Sequence, residues 1–320
     1  MTSPETVDTG YVYSIAAVKN FEGSGETYFG ATILGLLRSA DGGVTWNSAY
    51  RTSELMPPTP IMAIAAAQNA DSRHVVVAGL RGAILRSVNG GRNWDCIYLP
   101  SPPPTVSAIA ISPIFDTDGV MFATTLDDGV FCTKDHGQSW NAWNFGLLDR
   151  CVLSLSISPD YAIDSTLFAG TSCGMFRSTN GGLSWREVSM PTGAEVVLSI
   201  VFSSQYACDR VIYAGTEDHG LLCSRNGGAN WGRLAEHLVV GPVTALCSNE
   251  KSLFVIADGK VFLSLDGGNV FTCLQHKQLE GTEASALYAS VGQKDLLVGL
   301  ATGGIICVQK VVPEDQINSR

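Results

Sequence analysis

Ser39-Ala-Asp41-Gly-Gly43-Val-Thr-Trp46 is the first of six copies of one octapeptide that decides the fold of this 320-residue chain. Each copy has a hydroxyl residue, Asp or Asn two positions later, Gly four positions later and an aromatic residue seven positions later. Successive aromatic residues are 48, 46, 45, 46 and 40 residues apart, so the chain is an internal repeat. The hydroxyl, Asp/Asn and aromatic positions are Ser39, Asp41, Trp46, Ser87, Asn89, Trp94, Thr133, Asp135, Trp140, Ser178, Asn180, Trp185, Ser224, Asn226, Trp231, Ser264, Asp266 and Phe271.

The residue types of the octapeptide indicate a tight turn. Asp or Asn followed by Gly supplies the positive φ angles of a short hairpin, and the hydroxyl and Asp/Asn side chains bond nearby backbone. The aromatic residue begins the next strand and supplies a large side chain to bury. The octapeptide therefore predicts a structural hairpin and no catalysis.

The segments around each octapeptide predict four short antiparallel strands. Val152-Leu-Ser-Leu-Ser-Ile alternates apolar and small residues, and breaks containing Pro, Asp and Gly separate it from the strands that follow. Seven first strands begin near residues 12, 61, 106, 152, 197, 243 and 284, and residues 311–320 form a tail. This predicts an all-β fold, a seven-bladed β-propeller with four-stranded antiparallel blades in a single domain.

The seventh unit has no octapeptide, so its fourth strand must come from elsewhere. Two segments are candidates: the tail around Val311 and Val312, or residues Thr6 to Thr9 pairing into the last sheet to close the ring. The N-terminal segment is slightly favoured.

The octapeptide resembles the Asp-box, or BNR, repeat of sialidases, the sortilin propeller, xyloglucan-cleaving glycosidases and photosystem II assembly factor-like single propellers. The resemblance covers residues 12 to about 310 and implies a propeller of the general WD40/YVTN-like architecture. In these families the Asp box is a structural element at the outer part of the blade. The photosystem assembly factor-like propellers are the most similar in size, but they bind through a basic surface that this chain lacks.

The sialidase activity of the family is not expected here. Sialidases use three arginines and an early Arg-Ile-Pro segment, and no Arg precedes Ile-Pro in this chain. Arg38, Arg86 and Arg177 each precede an octapeptide hydroxyl residue by one position, so they lie at equivalent places in separate blades and cannot converge on one carboxylate.

Composition excludes two classes of partner. The chain carries 20 basic and 30 acidic residues, a net charge of −10, and shows no Lys/Arg cluster. General binding of nucleic acid or of an anionic membrane needs a basic patch, so neither is expected.

Cysteine usage and the N-terminal residues favour a cytoplasmic location. The nine cysteines are odd in number, form no Cys-x-x-Cys pair and mostly lie in apolar stretches, which predicts free buried thiols in a reducing compartment. Residues 1–8 are acidic and lack the basic and apolar regions of a signal peptide.

Acidic side chains recur at positions that a propeller places on one face, in the turns between second and third strands and in the blade connections. The proposed binding face consists of Asp127, Asp128, Asp149, Arg150, Glu217, Asp218, His219 and Asp258. The blade connections also contain Glu54, Glu195 and Glu283. These carboxylates suit a basic protein partner, and Asp127, Asp128 or Asp218 would serve as the acid and base of a glycosidase. Short acidic turns that only keep the protein solvated explain the same pattern.

A second pattern lies between the first and second strands of three blades: Ser112-Pro-x-Phe115-x-x-Asp118, Ser158-Pro-x-Tyr161-x-x-Asp164 and Ser203-Ser-x-Tyr206-x-x-Asp209. It predicts a loop fixed by an aromatic plug and by an Asp that bonds backbone. Each loop offers too few oxygen ligands for calcium, so no metal is expected.

These observations together predict a non-catalytic protein-binding propeller, a scaffold or assembly subunit of a larger complex. The alternative is a glycoside hydrolase-like carbohydrate-active enzyme that uses carboxylates of the loop face. No cofactor is expected, a protein partner is, and a glycan remains a possible ligand.

Overall fold

A computed structural model shows seven antiparallel β-sheets around a central axis, the predicted seven-bladed propeller. It describes residues 10–19, 25–51, 59–68, 74–100, 102–239, 241–289 and 295–309. Every sheet is a meander in which each strand pairs with the next along the chain. The innermost strand of each blade contacts the innermost strands of both neighbouring blades, including the first and the last.

Blades 1 to 6 have four strands each among the described residues, and blade 7 has three. The strands of blades 1 to 4 are β1 Val12–Lys19, β2 Glu26–Thr32, β3 Gly35–Ser39, β4 Asn47–Arg51; β5 Ala63–Gln68, β6 His74–Leu80, β7 Ala83–Ser87, β8 Asp95–Tyr98; β9 Val106–Ile111, β10 Met121–Thr125, β11 Gly129–Thr133, β12 Asn141–Ala142; and β13 Val152–Ile157, β14 Leu167–Thr171, β15 Gly174–Ser178, β16 Arg186–Val188. Those of blades 5 to 7 are β17 Val197–Phe202, β18 Ile212–Thr216, β19 Leu221–Ser224, β20 Gly232–Leu234; β21 Val243–Asn249, β22 Ser252–Ala257, β23 Lys260–Ser264, β24 Thr272–Cys273; and β25 Ala284–Ala289, β26 Leu296–Leu300, β27 Ile305–Val308.

The fourth strand of blade 7 has two candidate segments, residues 6–9 and residues 311–312. Both lie outside the described residues.

Blade 7 contacts blade 1 directly through the inner strands. The Ser285 hydroxyl donates a buried hydrogen bond of 2.7 Å to the carbonyl of Val12. A Cβ added at Gly299 would lie 2.6 Å from Cγ1 of Val12, so the second strand of blade 7 needs a glycine where the first strand of blade 1 packs. The ring is therefore closed by side-chain contacts between β25, β26 and β1.

The same inner contact recurs around the ring. Ser154 donates to the carbonyl of Val197 at 3.2 Å, and Ser199 donates to that of Val243 at 3.0 Å, each reaching from one blade to the next. First strands surround a central channel, whose cavity of about 260 Å³ is lined by small and apolar residues of all seven blades. Serine thus serves both as a small channel residue and as a donor between blades.

The octapeptides form the predicted turns between third and fourth strands. In the first, Ser39 Oγ donates to Asp41 Oδ1 at 2.8 Å and accepts from the N–H of Gly43 at 2.9 Å. Asp41 also accepts the N–H of Thr45 at 2.9 Å. The hydroxyl-to-Asp/Asn and Gly-to-hydroxyl bonds recur in the other five copies. The side chains replace the backbone partners that a turn of this length lacks.

The second glycine of the octapeptide has a further role, because the second strand of the preceding blade packs against it. Gly228 has φ of +87°, and a Cβ there would lie 2.4 Å from Cζ of Phe168 in blade 4. The equivalent pair Gly182 and Phe122 would give 2.6 Å. The turn is therefore also an interblade contact.

The three Ser-x-x-aromatic-x-x-Asp segments form one-turn helices, α1 Phe115–Asp118, α2 Tyr161–Asp164 and α3 Tyr206–Asp209. In α3, Ser203 Oγ donates to Asp209 Oδ2 at 2.6 Å, Asp209 Oδ1 accepts from Val211 N–H at 2.9 Å, and Tyr206 is buried. The predicted aromatic plug and the Asp that bonds backbone are both confirmed. A short 3₁₀ helix, Lys277–Leu279, precedes blade 7.

All nine cysteines are free thiols in the structure. The expectation that most of them are buried is wrong, since only Cys132 and Cys223 are buried while Cys96, Cys173 and Cys208 are exposed. The exposed three lie in an outer strand, a turn and a helical turn, where residues contact solvent on at least one side.

Candidate functional site

One face of the propeller, called the turn face below, combines the turns between second and third strands with the connections between blades. Hydrogen bonds join the two kinds of segment: the N–H of Gly129 donates to the carbonyl of Arg150 at 3.0 Å, and that of Ala284 donates to Gly259 at 2.8 Å. The other face, called the Asp-box face, carries the octapeptide turns and the links between first and second strands.

A threonine at the end of the second strand fixes the turn in four blades. Thr125 Oγ1 donates to the Gly129 carbonyl at 3.1 Å and accepts from the N–H of Asp128 at 2.9 Å. Thr32, Thr171 and Thr216 make the equivalent pair of bonds. These threonines were not among the predicted site residues, although a Gly three or four positions after the Thr marks each of them in the sequence.

The turn between β10 and β11 and the connection between blades 3 and 4 carry four of the proposed binding residues, although Asp127 Oδ2 accepts the Thr105 N–H of the connection between blades 2 and 3 at 3.4 Å. Asp127 and Asp128 occupy the turn between β10 and β11, and Arg150 Nη1 lies 3.8 Å from Asp128 Oδ1. Asp149 accepts bonds from the Cys151 N–H at 2.9 Å and from the Ser172 hydroxyl at 2.8 Å. Burial raises the pKa of Asp149, but those hydrogen bonds outweigh burial and hold the pKa below its usual value.

The other proposed residues lie in separate turns. Glu217, Asp218 and His219 occupy the turn between β18 and β19 of blade 5, and Asp258 occupies the turn between β22 and β23 of blade 6. His219 is fixed by its N–H, which donates to Thr216 Oγ1 at 3.0 Å. Blade 4 separates Asp218 of blade 5 from Asp127 and Asp128, which share one turn of blade 3.

The connection between blades 3 and 4 exposes two large apolar side chains that the sequence analysis did not single out. Phe145 and Leu148 are each 80% exposed, whereas Leu147 between them is 5% exposed and packs in the core beneath. The conformation of this short connection therefore buries Leu147 and leaves Phe145 and Leu148 exposed to solvent.

Backbone and amide bonds hold this connection in place at both ends. Asn144 accepts the Val130 N–H at 2.7 Å and donates to the Asp128 carbonyl at 2.8 Å. The carbonyl of Phe145 accepts the N–H of Trp185 in the next blade at 2.9 Å. The connection that carries Phe145, Leu148, Asp149 and Arg150 is therefore bonded both to the Asp128 turn of blade 3 and to blade 4.

The arginines that precede the octapeptides do not form a site. Arg38 Nε donates to the Gly90 carbonyl at 3.0 Å and Arg86 Nε to the His136 carbonyl at 2.7 Å, each in the octapeptide turn of the next blade. The Arg177 guanidinium lies 5.5 Å from the centre of the Phe168 ring. The three arginines belong to blades 1, 2 and 4, as their repeat positions predicted, and their contacts share no residue.

Neither a metal-binding cluster nor a membrane-spanning helix occurs among the described residues. No group of three or more His, Cys, Asp or Glu side chains there is arranged to hold a metal ion. Nor does any helix within the described ranges have the length and apolar composition needed to cross a membrane.

No protein-family model and no curated protein sequence matches this chain. Solved structures do match it. The structure described as YCF48 bound to D1 peptide superposes with a TM-score of 0.71 at 17% identity, covering 94% of this chain and 92% of that chain. YCF48 from Cyanidioschyzon merolae gives 0.68 at 14% identity, with 96% and 98% covered.

An enzyme with the same architecture also matches. The GH74 xyloglucanase from Xanthomonas campestris superposes with a TM-score of 0.74 at 14% identity, covering 95% of this chain and 52% of the enzyme. At these identities the likeness establishes the fold alone, that of a β-propeller, and this chain spans about half of the xyloglucanase.

Proposed function

We propose that this Asp-box propeller is a non-catalytic protein-binding module, a scaffold or assembly subunit of a larger complex in the cytoplasm, and that the turn face binds the partner. The observation that carries the proposal is the exposure of Phe145 and Leu148 on the connection that also carries Asp149 and Arg150 and that Asn144 bonds to the Asp128 carbonyl. Apolar anchors held in one conformation bind a partner without the entropic cost of ordering a loop.

The charges around the two anchors indicate what the partner carries. The surface has three carboxylates and one cation, in a protein of net charge −10, so it attracts a partner with basic residues around an apolar patch. The YCF48 structure with a D1 peptide supports the proposal, since in that structure a chain of similar size and fold binds a peptide.

The test is capture of the partner from the native source with the tagged full chain, followed by reconstitution from purified proteins. We expect a stoichiometric complex that the double variant Phe145→Ser/Leu148→Ser weakens at least tenfold. Ile163→Ser is the matched control, because Ile163 is 87% exposed but lies in α2 on the Asp-box face. A complex that survives the double variant unchanged contradicts the turn face as the binding surface.

The same protein tests the enzymatic alternative. Hydrolysis of a glycan by the purified chain, lost in Asp128→Asn or Asp218→Asn, would establish a carbohydrate-active enzyme and refute the non-catalytic module. The separation of these carboxylates onto blades 3 and 5 favours the binding module, since an acid and base must flank one glycosidic bond.

A further inference from the structure

Three of the six octapeptides carry Asn instead of Asp, and Gly follows the Asn in each of them: Asn89-Gly90, Asn180-Gly181 and Asn226-Gly227. In an Asn-Gly pair the backbone nitrogen of the Gly can attack Cγ of the Asn side chain, because the Gly has no side chain to hinder the approach. The three pairs lie in equivalent hydrogen-bonded turns, so their reactivity can be compared directly.

The bonds to the Asn side-chain oxygen do not distinguish the three sites. Oδ1 of Asn89 accepts the Ser87 hydroxyl at 3.0 Å and the Asn93 N–H at 2.9 Å. Oδ1 of Asn180 and Oδ1 of Asn226 accept the equivalent hydroxyl at 2.9 Å, and the equivalent N–H at 3.0 and 2.9 Å. In each turn these donors face the oxygen on which negative charge develops when Cγ is attacked.

The attacking nitrogen is restrained by a hydrogen bond at two of the sites. The N–H of Gly181 donates to the carbonyl of Ser165 at 2.9 Å, and the N–H of Gly227 donates to that of Arg210 at 2.9 Å. Ser165 and Arg210 end the one-turn helices α2 and α3. The N–H of Gly90 makes no hydrogen bond to any residue that the structure describes.

The leaving nitrogen is also restrained at one site. Nδ2 of Asn180 donates to the Ser184 hydroxyl at 2.8 Å. Nδ2 of Asn89 and Nδ2 of Asn226 have no such bond within the described ranges, and Asn stands at the Ser184 position in both of those turns. Asn180 therefore has two restraints on the reaction, Asn226 has one and Asn89 has neither.

Positive charge around Gly90 favours the reaction further. Arg38 Nε of blade 1 donates to the Gly90 carbonyl at 3.0 Å, and Arg92 belongs to the same turn as Gly90. Burial and then the charge of Arg92 lower the pKa of Arg38, so the two guanidinium groups repel each other. Both stabilise the negative charge that forms as the Gly90 nitrogen loses its proton, and a carboxylate at position 89 reduces their repulsion.

We propose that Asn89 is a modification site, which deamidates in the folded protein before Asn226 and Asn180. The Gly90 nitrogen forms a bond to Cγ, the bond between Cγ and Nδ2 breaks, and the proton of the Gly90 N–H leaves with the side-chain nitrogen as ammonia. Water then opens the five-membered succinimide, either at Cγ to give Asp or at the main-chain carbonyl to give isoaspartate.

The two products differ in their effect on the turn. Asp preserves it, because Asp41 accepts the equivalent hydroxyl and N–H from this position in the first octapeptide. Isoaspartate adds a methylene to the main chain and disrupts these bonds. Deamidation to Asp therefore converts the second octapeptide into the form that three other copies already have.

The test is incubation of the native full-length protein at mildly alkaline pH, followed by peptide mapping with mass spectrometry, which measures all three sites in one sample. We expect Asn89 to react about tenfold faster than Asn226 and Asn180 to react most slowly, because each hydrogen bond that must break changes the rate by roughly that factor. Protein unfolded in urea is the control. There the three Asn-Gly-Gly sequences lose their restraints and should react at similar rates.

Ser184→Ala tests the restraint on the leaving nitrogen. It is expected to raise the rate at Asn180 about tenfold and to leave the rate at Asn89 unchanged. Equal native rates at the three sites, or an Asn89 that stays intact while the unfolded control reacts, overturn the proposal without depending on any variant. The Phe145→Ser/Leu148→Ser variant should deamidate at the wild-type rate, so failure here and failure of the turn-face proposal are distinguishable.

Discussion

Gly228 in the fifth octapeptide lies against the ring of Phe168 in the blade before it, so close that a Cβ would fall 2.4 Å from Cζ. The glycine also has φ of +87°, which side chains rarely adopt. Two independent constraints, one local and one between blades, therefore require the same residue.

Gly228→Ala is expected to lower the free energy of unfolding by about 2–4 kcal/mol, the sum of overpacking and backbone strain. Gly232→Ala is the matched control, since a Cβ there meets nothing within 4 Å and its change should stay within about 0.5 kcal/mol. Urea denaturation measures both. Equal stability of the two variants would show that blade 5 shifts away from Phe168 at little cost.

The contribution of the octapeptide carboxylates to folding stability depends on pH. Hydrogen bonds from the Thr45 hydroxyl and N–H hold the pKa of Asp41 at about 2, below its ordinary value of 3.8. A lowered pKa in the folded state stabilises the fold above pH 3.8, and the gain is lost as the pH falls toward 2.

Asn fills the position of Asp41 in three of the six octapeptides and accepts the same backbone bonds. Asp41→Asn is therefore expected to fold normally and to flatten the loss of stability between pH 4 and pH 2. Urea midpoints at pH 7 and pH 3 measure the difference. A variant as acid-sensitive as the wild type would contradict the assignment to Asp41.

The two leucines of the connection between blades 3 and 4 should behave oppositely. Leu147→Ala removes a buried side chain and is expected to cost about 2–4 kcal/mol, because the site beneath is packed. Leu148→Ala removes an exposed one and should change stability by less than about 0.5 kcal/mol. Thermal unfolding of both variants checks the difference, and similar Tm losses would mean that the connection does not hold one conformation.

Ser285→Ala is expected to weaken closure of the ring. The substitution leaves the Val12 carbonyl without its buried donor and should cost about 1–3 kcal/mol. Ser48→Ala, on an exposed position of β4, is the control. The amide hydrogen-exchange rates of β1 and β26 should rise more than those of other strands in Ser285→Ala. Unchanged exchange there would show that the other contacts of Val12 suffice.

Thiol reactivity should follow exposure. Cys96, Cys173 and Cys208 are expected to react with an aromatic disulfide in the native protein, and all nine after denaturation. Burial raises the pKa of Cys132 to about 12 and that of Cys247 to about 11, so few thiolates form at either site near neutral pH. The triple Ser variant of the exposed sites should lose the fast phase, and fewer than nine thiols on denaturation would reveal a disulfide.

Much of the fold was predictable because the octapeptide repeats every 40 to 48 residues. Its Ser, Asp and Gly act within eight residues, so local chemistry sufficed to predict the turns, and the seven first strands predicted the number of blades. The contact between Gly228 and Phe168 was not predictable, since the two residues belong to different blades and each has a sufficient local explanation.

The candidate site was predictable only in part. The acidic residues were found because turns of a propeller share a face, and the structure joins Asp128 to Arg150 as one cluster. Phe145 and Leu148 were missed because the sequence pattern does not show that Leu147 is buried while Leu148, the next residue, is exposed.

The inner serines have a consequence for the exchange of blades between propellers. Ser154, Ser199 and Ser285 each bond a main-chain carbonyl of the next blade, which any residue at that position supplies. This hydrogen bond would thus form with any transplanted blade, but the side chain at the same position must fit the glycine of the preceding second strand, as Val12 fits Gly299 and Val197 fits Gly170. Compatibility would therefore be decided by side-chain packing, at this inner contact and at the contact between the octapeptide glycine and the preceding second strand.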